Sequence, residues 1–189
     1  MIKILKLLFW DLKDRWGRLG YYNGILRTIP GRFGIELRST VLSNFFSTCG
    51  EGVIIYEGVR FRGIHKLQVG NNVRIGVDNF IQASGGVILE DDVMLGPGVK
   101  IWTINHKFDD TNIPIYEQGY SYESVVIGKG CWLGANVFVL PGVHIPEGCV
   151  VTACSLVSKK KYPPYSILSG NPCRVIGRRT PVNEENSAR

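Results

Sequence analysis

A six-residue period of apolar positions runs through the middle of the chain, from about residue 49 to residue 158. The apolar first positions of this period are Ile55, Phe61, Val69, Ile75, Ile81, Leu89, Leu95, Ile101, Ile127, Leu133, Val139, Ile145, Val151 and Val157. An amphipathic helix repeats about every 3.6 residues and a half-buried strand about every 2, so neither accounts for this period. A period of six is typical of short strands separated by sharp corners, with apolar residues stacking inward from coil to coil.

Two further positions of the six-residue unit carry a preference of their own. The second position is repeatedly glycine, which permits a tight backbone turn, at Gly70, Gly76, Gly96, Gly128 and Gly134. The fifth position is small or β-branched, as in Val59, Val73, Val93, Val99, Cys131, Val137, Val143, Cys149 and Ser155. Three such units would close one triangular coil, whose strands pair in parallel with those of the next coil. The sequence therefore predicts an all-β fold, a parallel β-helix.

The string IGKGCWLGANVFVLPGVHIPEGCVV, residues 127–151, resembles the hexapeptide-repeat acyltransferases. The resemblance implies left-handed coils, whereas the residues alone do not fix the hand, because parallel crossovers in general are right-handed. It further implies an enzyme that uses acetyl-coenzyme A as acyl donor and assembles as a homotrimer, with active sites in the clefts between subunits.

The repeat is interrupted three times. It slips by two residues near residues 65–67 and again near 85–88, which predicts two enlarged corners, and it is broken by an insertion at 107–124. An insertion of this length exceeds ordinary connections, and long loops are usually functional or disordered. We therefore divide the chain into a helical segment and cap (1–48), the β-helix (49–160) and a C-terminal segment that contacts coenzyme A (161–189), ending in a frayed tail, TPVNEENSAR.

Apolar residues also recur at nearly helical spacing before the coils, at Ile2, Leu5, Leu8, Leu12, Trp16 and Leu19. This spacing predicts an amphipathic helix. The helix could cap the open end of the β-helix, form a trimer contact, or lie on a membrane surface as a peripheral anchor. Lys3 and Lys6 interrupt the apolar run, and a membrane span needs about 20 apolar residues, so we expect neither a signal peptide nor a span.

Composition narrows the class of protein. The 189 residues are 44% hydrophobic and 20% charged, which is typical of one folded domain rather than a disordered chain. The five cysteines include no Cys-x-x-Cys pair, which favours a reducing cytoplasm. Part of the net charge of +6 is concentrated late in the chain, in Lys159, Lys160, Lys161, Arg174, Arg178 and Arg179. Such a basic surface could bind a polyphosphate-bearing ligand, nucleic acid or anionic lipid, or it could simply be solvated.

His106 is the candidate catalytic residue. It lies at the start of the long insertion, and a neutral imidazole can take the proton of an acceptor hydroxyl as the oxygen attacks a thioester. Galactoside, maltose and antibiotic acetyltransferases resemble this segment, and the resemblance implies that His106 is the general base. His65 and His144 lack this context, and an exposed or structural role suffices for them.

The resemblance also implies the donor and acceptor residues. WLGANV, VTACSLVSKK and SGNPCRVIGRR are similar to the stretches that bind coenzyme A in the family. They imply backbone hydrogen bonds from Ala135 and Ala153, and contacts to pantetheine or phosphate oxygens from Ser158, Lys159 and Arg174. Three residues are candidates for the acceptor side: Gln82 and Asn105 could bond a sugar or line the site, and Trp132 could border the thioester or lie at a trimer seam.

Several other functions remain open at this point. The repeat alone is compatible with a non-catalytic scaffold, because fold does not fix function, although His106, the insertion and the basic segment favour an enzyme. The resemblance is greatest to enzymes that O-acetylate sugars of bacterial surface polysaccharide or O-antigen, with antibiotic acetyltransferases as the alternative. The γ-type carbonic anhydrases share the fold, but their pair of histidines five residues apart is missing here, so we expect no metal. Nor is any nucleic-acid-binding motif present.

Overall fold

The computed structural model describes residues 2–180, except for the side chains of Ile2 and Trp16. The chain forms a left-handed parallel β-helix of about 6 turns, preceded by three helices. The helices are α1 (Ile2–Lys13), α2 (Arg15–Leu26) and α3 (Gly31–Ser43). The strands are β1 (Thr48–Cys49), β2 (Ile54–Ile55), β3 (Arg60–Arg62), β4 (Leu67–Val69), β5 (Arg74–Ile75), β6 (Phe80–Gln82), β7 (Val87–Leu89), β8 (Met94–Leu95), β9 (Lys100–Trp102), β10 (Ile104–His106), β11 (Tyr120–Tyr122), β12 (Val125–Ile127), β13 (Trp132–Leu133), β14 (Phe138–Val139), β15 (His144–Ile145), β16 (Val150–Val151), β17 (Leu156–Val157), β18 (Ser166–Gly170) and β19 (Cys173–Arg178).

The strands form a prism with three faces. Face A has the order β1-β4-β7-β12-β15, face B the order β2-β5-β8-β13-β16-β18-β19, and face C the order β3-β6-β9-β14-β17. Neighbouring strands within a face are parallel, except for the antiparallel pair β18 and β19. Pro163 and Pro164 interrupt the coils after β17, yet β18 still pairs with β16 beyond them. This added hairpin covers what would otherwise be an open edge of face B.

The core of the prism consists of the positions that the six-residue period selects. All fourteen apolar first positions are buried, and so are the nine small residues at the fifth position, Ser155 included. The period therefore identified the inward-facing residues correctly. The same pattern explains why strands of two or three residues suffice: each is paired above and below, and each contributes its side chain to a continuous stack.

All three interruptions of the repeat fall at one edge of the prism, the corner that leads from face C to face A. The first is a single 3-10 turn at Ile64–Lys66, and the second a tight turn in which the Gly86 N–H donates to the Ala83 carbonyl at 2.8 Å. The third is the 107–124 insertion, which leaves and re-enters the coil through the antiparallel pair of β10 and β11. Every extension of the coil thus projects beside the end of face C.

The N-terminal segment differs from the single predicted helix. α1 ends at Lys13 because Asp14 begins a new helix, its carboxylate accepting a hydrogen bond from the Gly17 N–H at 2.7 Å. The capping role belongs to α3, whose buried Arg38 donates to the carbonyls of Ile55, Leu26 and Ile29. α1 lies against α2 and leaves its apolar side chains exposed.

None of the helices within residues 2–180 is both long and apolar enough to cross a membrane. The frayed tail predicted from TPVNEENSAR lies, beyond Thr180, outside the described residues.

Candidate active site

A cavity of about 270 Å³ opens at the end of face C, beneath the hairpin of β10 and β11. Three consecutive coils form its floor, because Arg62 pairs with Gln82, and Gln82 with Trp102, across β3, β6 and β9. The hairpin forms its wall. The residues that line the cavity are Arg62, Gln82, Trp102, Ile104, Asn105, His106 and Tyr120. The structure therefore brings together three predicted site residues: Gln82, Asn105 and His106.

His106 is the last residue of β10 and lies opposite Tyr120 in the antiparallel pair. The two rings contact each other, with centroids 4.4 Å apart and planes tilted by 45°. The Lys107 N–H donates to the Gly119 carbonyl at 3.1 Å, which closes the hairpin directly beyond the histidine. The imidazole is thus exposed to solvent on one side and held by an aromatic ring on the other, a geometry that allows it to meet a hydroxyl in the cavity.

Gln82 is buried, and its hydrogen bonds fix which end of its amide faces the cavity. Its Oε1 accepts from the Ser84 N–H at 3.2 Å and from Ser84 Oγ at 2.7 Å. A backbone N–H can only donate, so this end must be the carbonyl oxygen. Nε2 is consequently the end that remains to donate to a ligand.

Three cavity residues were missed by the sequence reasoning: Arg62, Trp102 and Tyr120. The first two carry a signal that could have identified them. Residues 62, 82 and 102 are spaced by one coil of twenty residues, so any function assigned to Gln82 extends to its neighbours above and below. Tyr120 could not be placed, because nothing in the insertion indicates that β10 and β11 pair.

Ala135 and Ala153 occupy equivalent positions of successive coils, at the corner from face B to face C. The Ala135 carbonyl accepts from the Cys154 N–H at 2.8 Å. Within residues 2–180, however, neither alanine N–H donates to a protein acceptor. At the corner from face A to face B, by contrast, side chains accept from the corresponding groups: Asp91 from the Asn71 N–H at 2.7 Å, and Glu90 from the Lys129 N–H at 2.8 Å. The two alanine N–H groups are therefore available to a ligand.

Ser158 and Lys159 follow β17 on the last coil, at the same corner from face C to face A as the cavity and two coils beyond Trp102. The Ser158 hydroxyl is buried and has no hydrogen-bond partner among the described residues, which is unusual for a buried polar atom. The Lys159 ammonium forms an ion pair with Glu123, which follows β11 at the return of the insertion. This ion pair ties the loop of the His106 cavity to the last coil.

Arg174 lies on β19, exposed, opposite Ser169 of β18. Ser169 Oγ accepts from the Thr152 hydroxyl at 2.7 Å, and Thr152 directly precedes Ala153. Arg174 is thus near the alanine corner, and its neighbour Cys173 contacts the Tyr162 hydroxyl, which donates to the carbonyl of Ser158 beside Lys159. The five predicted donor residues form no single cluster but extend across the C-terminal end of the prism, as contacts to a long flexible molecule would.

Trp132 is not brought together with His106 within one chain. It lies half-exposed on β13 of face B, where it pairs with Met94 and Val150. It lines a separate, largely apolar groove of about 480 Å³ together with Tyr56, Arg74, Met94 and Pro97, among others. No residue is shared between this groove and the His106 cavity.

The remaining histidines and the core cysteines do not form a second site. His65 is exposed in the 3-10 turn, and His144 is exposed on β15. Cys131 and Cys149 are buried inside the prism, and the interaction between their thiols raises the pKa of Cys131 and lowers the pKa of Cys149 to about 7. Neither thiol is accessible to a substrate, because the side chains of the core enclose both. The described part of the chain also contains no group of three side chains able to hold a metal ion.

Comparison with known proteins agrees with this fold. Residues 124–159 match the family described as bacterial transferase hexapeptide (six repeats), and residues 66–101 match the hexapeptide repeat of succinyl-transferase. A candidate acetyltransferase of Staphylococcus aureus (strain Mu50) is 34% identical over 142 residues, covering 74% of this chain and 68% of that protein. A probable acetyltransferase of Mycobacterium tuberculosis is 34% identical over 113 residues, which span 60% of this chain and only 37% of the longer protein.

Two solved structures share the fold and part of the sequence. A maltose O-acetyltransferase from Clostridium difficile 630 superimposes with a TM-score of 0.73 and 26% identity, covering 91% of this chain and 89% of that one. A galactoside acetyltransferase in complex with coenzyme A has a TM-score of 0.72 and 26% identity, covering 84% and 79%. Both superpositions cover more than four fifths of this chain.

Proposed function

This chain belongs to the hexapeptide-repeat acetyltransferase family, and we propose that it transfers an acetyl group from acetyl-coenzyme A to a hydroxyl of a sugar. One observation carries the proposal: an imidazole lies at the wall of a cavity that is also lined by two aromatic rings, Trp102 and Tyr120, and by the amides of Gln82 and Asn105. Aromatic faces pack against sugar rings, and amides bond to hydroxyls. The relatives named for galactoside and maltose act on the same class of acceptor.

The chemistry follows from the position of His106. Its imidazole takes the proton of the acceptor hydroxyl as the oxygen attacks the acetyl carbonyl carbon, and it returns that proton to the leaving sulfur. Bound acetyl-coenzyme A supplies the acetyl group as a thioester. Tyr120 keeps the ring oriented through its contact at 4.4 Å, and a backbone N–H of an adjacent coil stabilises the developing oxyanion. Transfer is direct, in a ternary complex, because the acceptor oxygen itself attacks the thioester. No acyl-enzyme intermediate on a protein nucleophile is required.

The residues at the C-terminal end of the prism fit an extended donor. The free N–H groups of Ala135 and Ala153 would donate to amide oxygens of the pantetheine arm, and the unpartnered Ser158 hydroxyl would gain a partner. Lys159 and Arg174 would meet phosphate oxygens through charge-assisted hydrogen bonds. Both are exposed, so the phosphates would lie at the surface.

A second copy of the chain completes this site. Within one subunit, Trp132 lines a groove that shares no residue with the His106 cavity, so a site that uses both side chains needs a neighbouring subunit. In a homotrimer, the donor would lie in the cleft between two prisms, with His106 from one and Trp132 from the other. Such clefts also supply the concavity that a single prism face lacks.

The acceptor belongs to the biosynthesis of a bacterial surface polysaccharide or O-antigen, and the protein works in the cytoplasm at the inner membrane face. An antibiotic acetyltransferase is the second candidate, because the same cavity could accept a hydroxylated drug. A non-catalytic scaffold would need neither an imidazole at the wall of a cavity nor the free N–H groups at the alanine corner.

α1 supports the membrane location. Its large apolar side chains are strongly exposed, including Ile4 (70%), Phe9 (55%) and Trp10 (65%), and Lys3, Lys6 and Lys13 are also exposed. Exposed aromatic and aliphatic groups beside lysines are the combination that holds a helix in the interface of an anionic bilayer.

The protein should float with vesicles containing phosphatidylglycerol, and Phe9→Ser/Trp10→Ser should abolish flotation. Phe33→Ser is the control, because Phe33 of α3 is equally exposed (71%) outside α1; equal loss in both variants would contradict a membrane role for α1.

The first test of the transferase proposal is calorimetric titration with acetyl-coenzyme A and with its analogue lacking the 3′-phosphate. We expect saturable binding that weakens without this phosphate and in Lys159→Ala/Arg174→Ala, but not in Lys129→Ala, which removes an exposed lysine from another corner. Acetyl transfer is then measured over neutral and charged sugars and over hydroxylated antibiotics. Absence of donor binding in folded protein would overturn the proposal in favour of a scaffold.

A further inference from the structure

The His106 cavity carries a charge that the acetyl transfer itself does not require. Arg62 is the one cationic side chain among its lining residues apart from the histidine, and none of the lining residues within the described chain is Asp or Glu. Transfer to a neutral hydroxyl needs a base for the hydroxyl proton and a hydrogen-bond donor for the oxyanion that develops on the acetyl group. Neither role requires a guanidinium at the opposite end of the floor. The positive charge of the cavity therefore indicates which chemical class of acceptor it binds.

Arg62 is fixed at its backbone and unpaired at its side chain. Its carbonyl accepts from the Ala83 N–H at 2.8 Å, and the next residue, Gly63, has a φ of 64° and lies so close to Ser84 that a Cβ would be 2.6 Å from its backbone N. Within residues 2–180, ion pairs are formed by Arg38 with Glu57 and by Lys159 with Glu123, and none involves Arg62. The guanidinium thus keeps its full hydrogen-bonding capacity.

The neighbouring group on the floor is also a donor. Because Ser84 occupies Oε1 of Gln82, the Gln82 side chain presents Nε2 to the cavity, one coil from Arg62. Paired parallel strands lie about 4.8 Å apart, so one group of oxygens can contact both side chains. The side chains of Arg62 and Gln82 are thus two adjacent hydrogen-bond donors, and no carboxylate lines the cavity beside them. They favour a ligand group that carries several hydrogen-bond acceptors.

We propose that the acceptor is an anionic sugar, bearing a carboxylate or a phosphate, whose charged group binds Arg62 and Gln82 while a ring hydroxyl meets His106. This inference rests on the proposed transferase function. The sugar ring lies between, against the indole of Trp102 and the phenol of Tyr120. A uronic acid and a sugar 1-phosphate both have this chemistry, and the test distinguishes them.

Arg60 provides a matched control on the same strand. It lies two residues before Arg62, on the same side of β3, and is likewise exposed. Its guanidinium carbon stacks 4.9 Å from the centre of the Phe80 ring, and it does not line the cavity. Arg60→Gln and Arg62→Gln therefore remove the same charge from the same strand, but only the second changes the cavity.

The experiment measures binding and acetylation of galactose, galacturonic acid and galactose 1-phosphate by wild-type protein and both variants. We expect at least one anionic sugar to bind roughly tenfold more tightly than galactose, since hydrogen bonds to charged groups stabilise by about 1.5–3 kcal/mol. Arg62→Gln should abolish this preference, measured as the ratio of the affinities for the anionic sugar and for galactose, and Arg60→Gln should keep it. Whichever anion shows the preference identifies the charged group.

Two outcomes separate this inference from the transferase proposal. Equal binding of all three sugars, or equal loss of preference in both variants, would overturn the anionic acceptor while leaving acetyl transfer intact. Anion binding that depends on Arg62, without acetylation of any sugar in the presence of acetyl-coenzyme A, would overturn the sugar transferase and leave the anion site standing.

Discussion

Glu123 and Lys159, which are 36 residues apart in sequence, form an ion pair that joins the end of the insertion to the last coil of the β-helix. Both side chains are partly exposed, so the pair contributes little to stability, about 0.2–1 kcal/mol. Its importance lies in position. Glu123 belongs to the loop that holds His106, and Lys159 is a proposed phosphate ligand, so the two substrate sites are linked by one contact.

This link predicts opposite effects of its two members on the donor. Glu123→Gln should release the lysine and tighten acetyl-coenzyme A binding by about two- to fivefold, whereas Lys159→Ala should weaken it. Calorimetry measures both, with Glu117→Gln as the control for removing an exposed acid elsewhere in the insertion. If both variants weaken binding alike, the carboxylate positions the lysine and does not compete with phosphate.

Replacement of His106 tests the chemical step. His106→Ala should lower kcat by about a hundredfold to ten-thousandfold, the usual contribution of a general base, with little change in the dissociation constant of acetyl-coenzyme A. His144→Ala removes another strand-borne, exposed imidazole and should leave kcat unchanged. Retention of full activity by His106→Ala would remove this residue from the mechanism.

Ser158 should behave differently from an ordinary buried serine. Because its hydroxyl has no partner, Ser158→Ala should leave the free energy of unfolding unchanged or raise it slightly. The same variant should weaken donor binding by roughly two- to tenfold, the worth of one hydrogen bond. Ser166→Ala is the matched control: that buried hydroxyl donates to the Pro163 carbonyl at 2.7 Å, and its loss should cost about 1 kcal/mol of stability. Urea denaturation and calorimetry give the two readouts.

Arg38 should be the residue on which the N-terminal cap depends. It is fully buried, it binds the carbonyls of Leu26, Ile29 and Ile55, and desolvation lowers the pKa of its guanidinium, opposed by nearby Glu57. Arg38→Met would leave these carbonyls without a hydrogen-bond donor and should lower the free energy of unfolding by about 3–5 kcal/mol. Arg32→Met, on the exposed side of the same helix, should change it by less than about 0.5 kcal/mol.

The sequence predicted the prism well because each coil repeats the same inward-facing positions. The burial of a residue such as Leu133 therefore follows from its place in the six-residue unit alone. The site obeyed no such rule. His106 and Gln82 were predicted from resemblance and position and do line one cavity, but Tyr120 joins them only through antiparallel pairing inside the insertion.

The hairpin of β18 and β19 escaped detection for a related reason. Its strands are longer than those of the coils and follow two prolines, which ordinarily end a regular element. What positions them is the unpaired edge of β16, a property of the folded prism and not of the local sequence.

The corner between faces C and A carries the proposed acceptor cavity, whereas the three faces and the core between them carry the fold. Phe138 pairs with Lys100 across the insertion in the same register in which Lys100 pairs with Phe80 across an uninterrupted coil. The added residues therefore disturb no strand and no layer of the core. A lineage, or an engineer, can exchange the segment at this corner for another of different length and chemistry. Acceptor choice can then diverge rapidly while the donor surface and the scaffold are inherited unchanged.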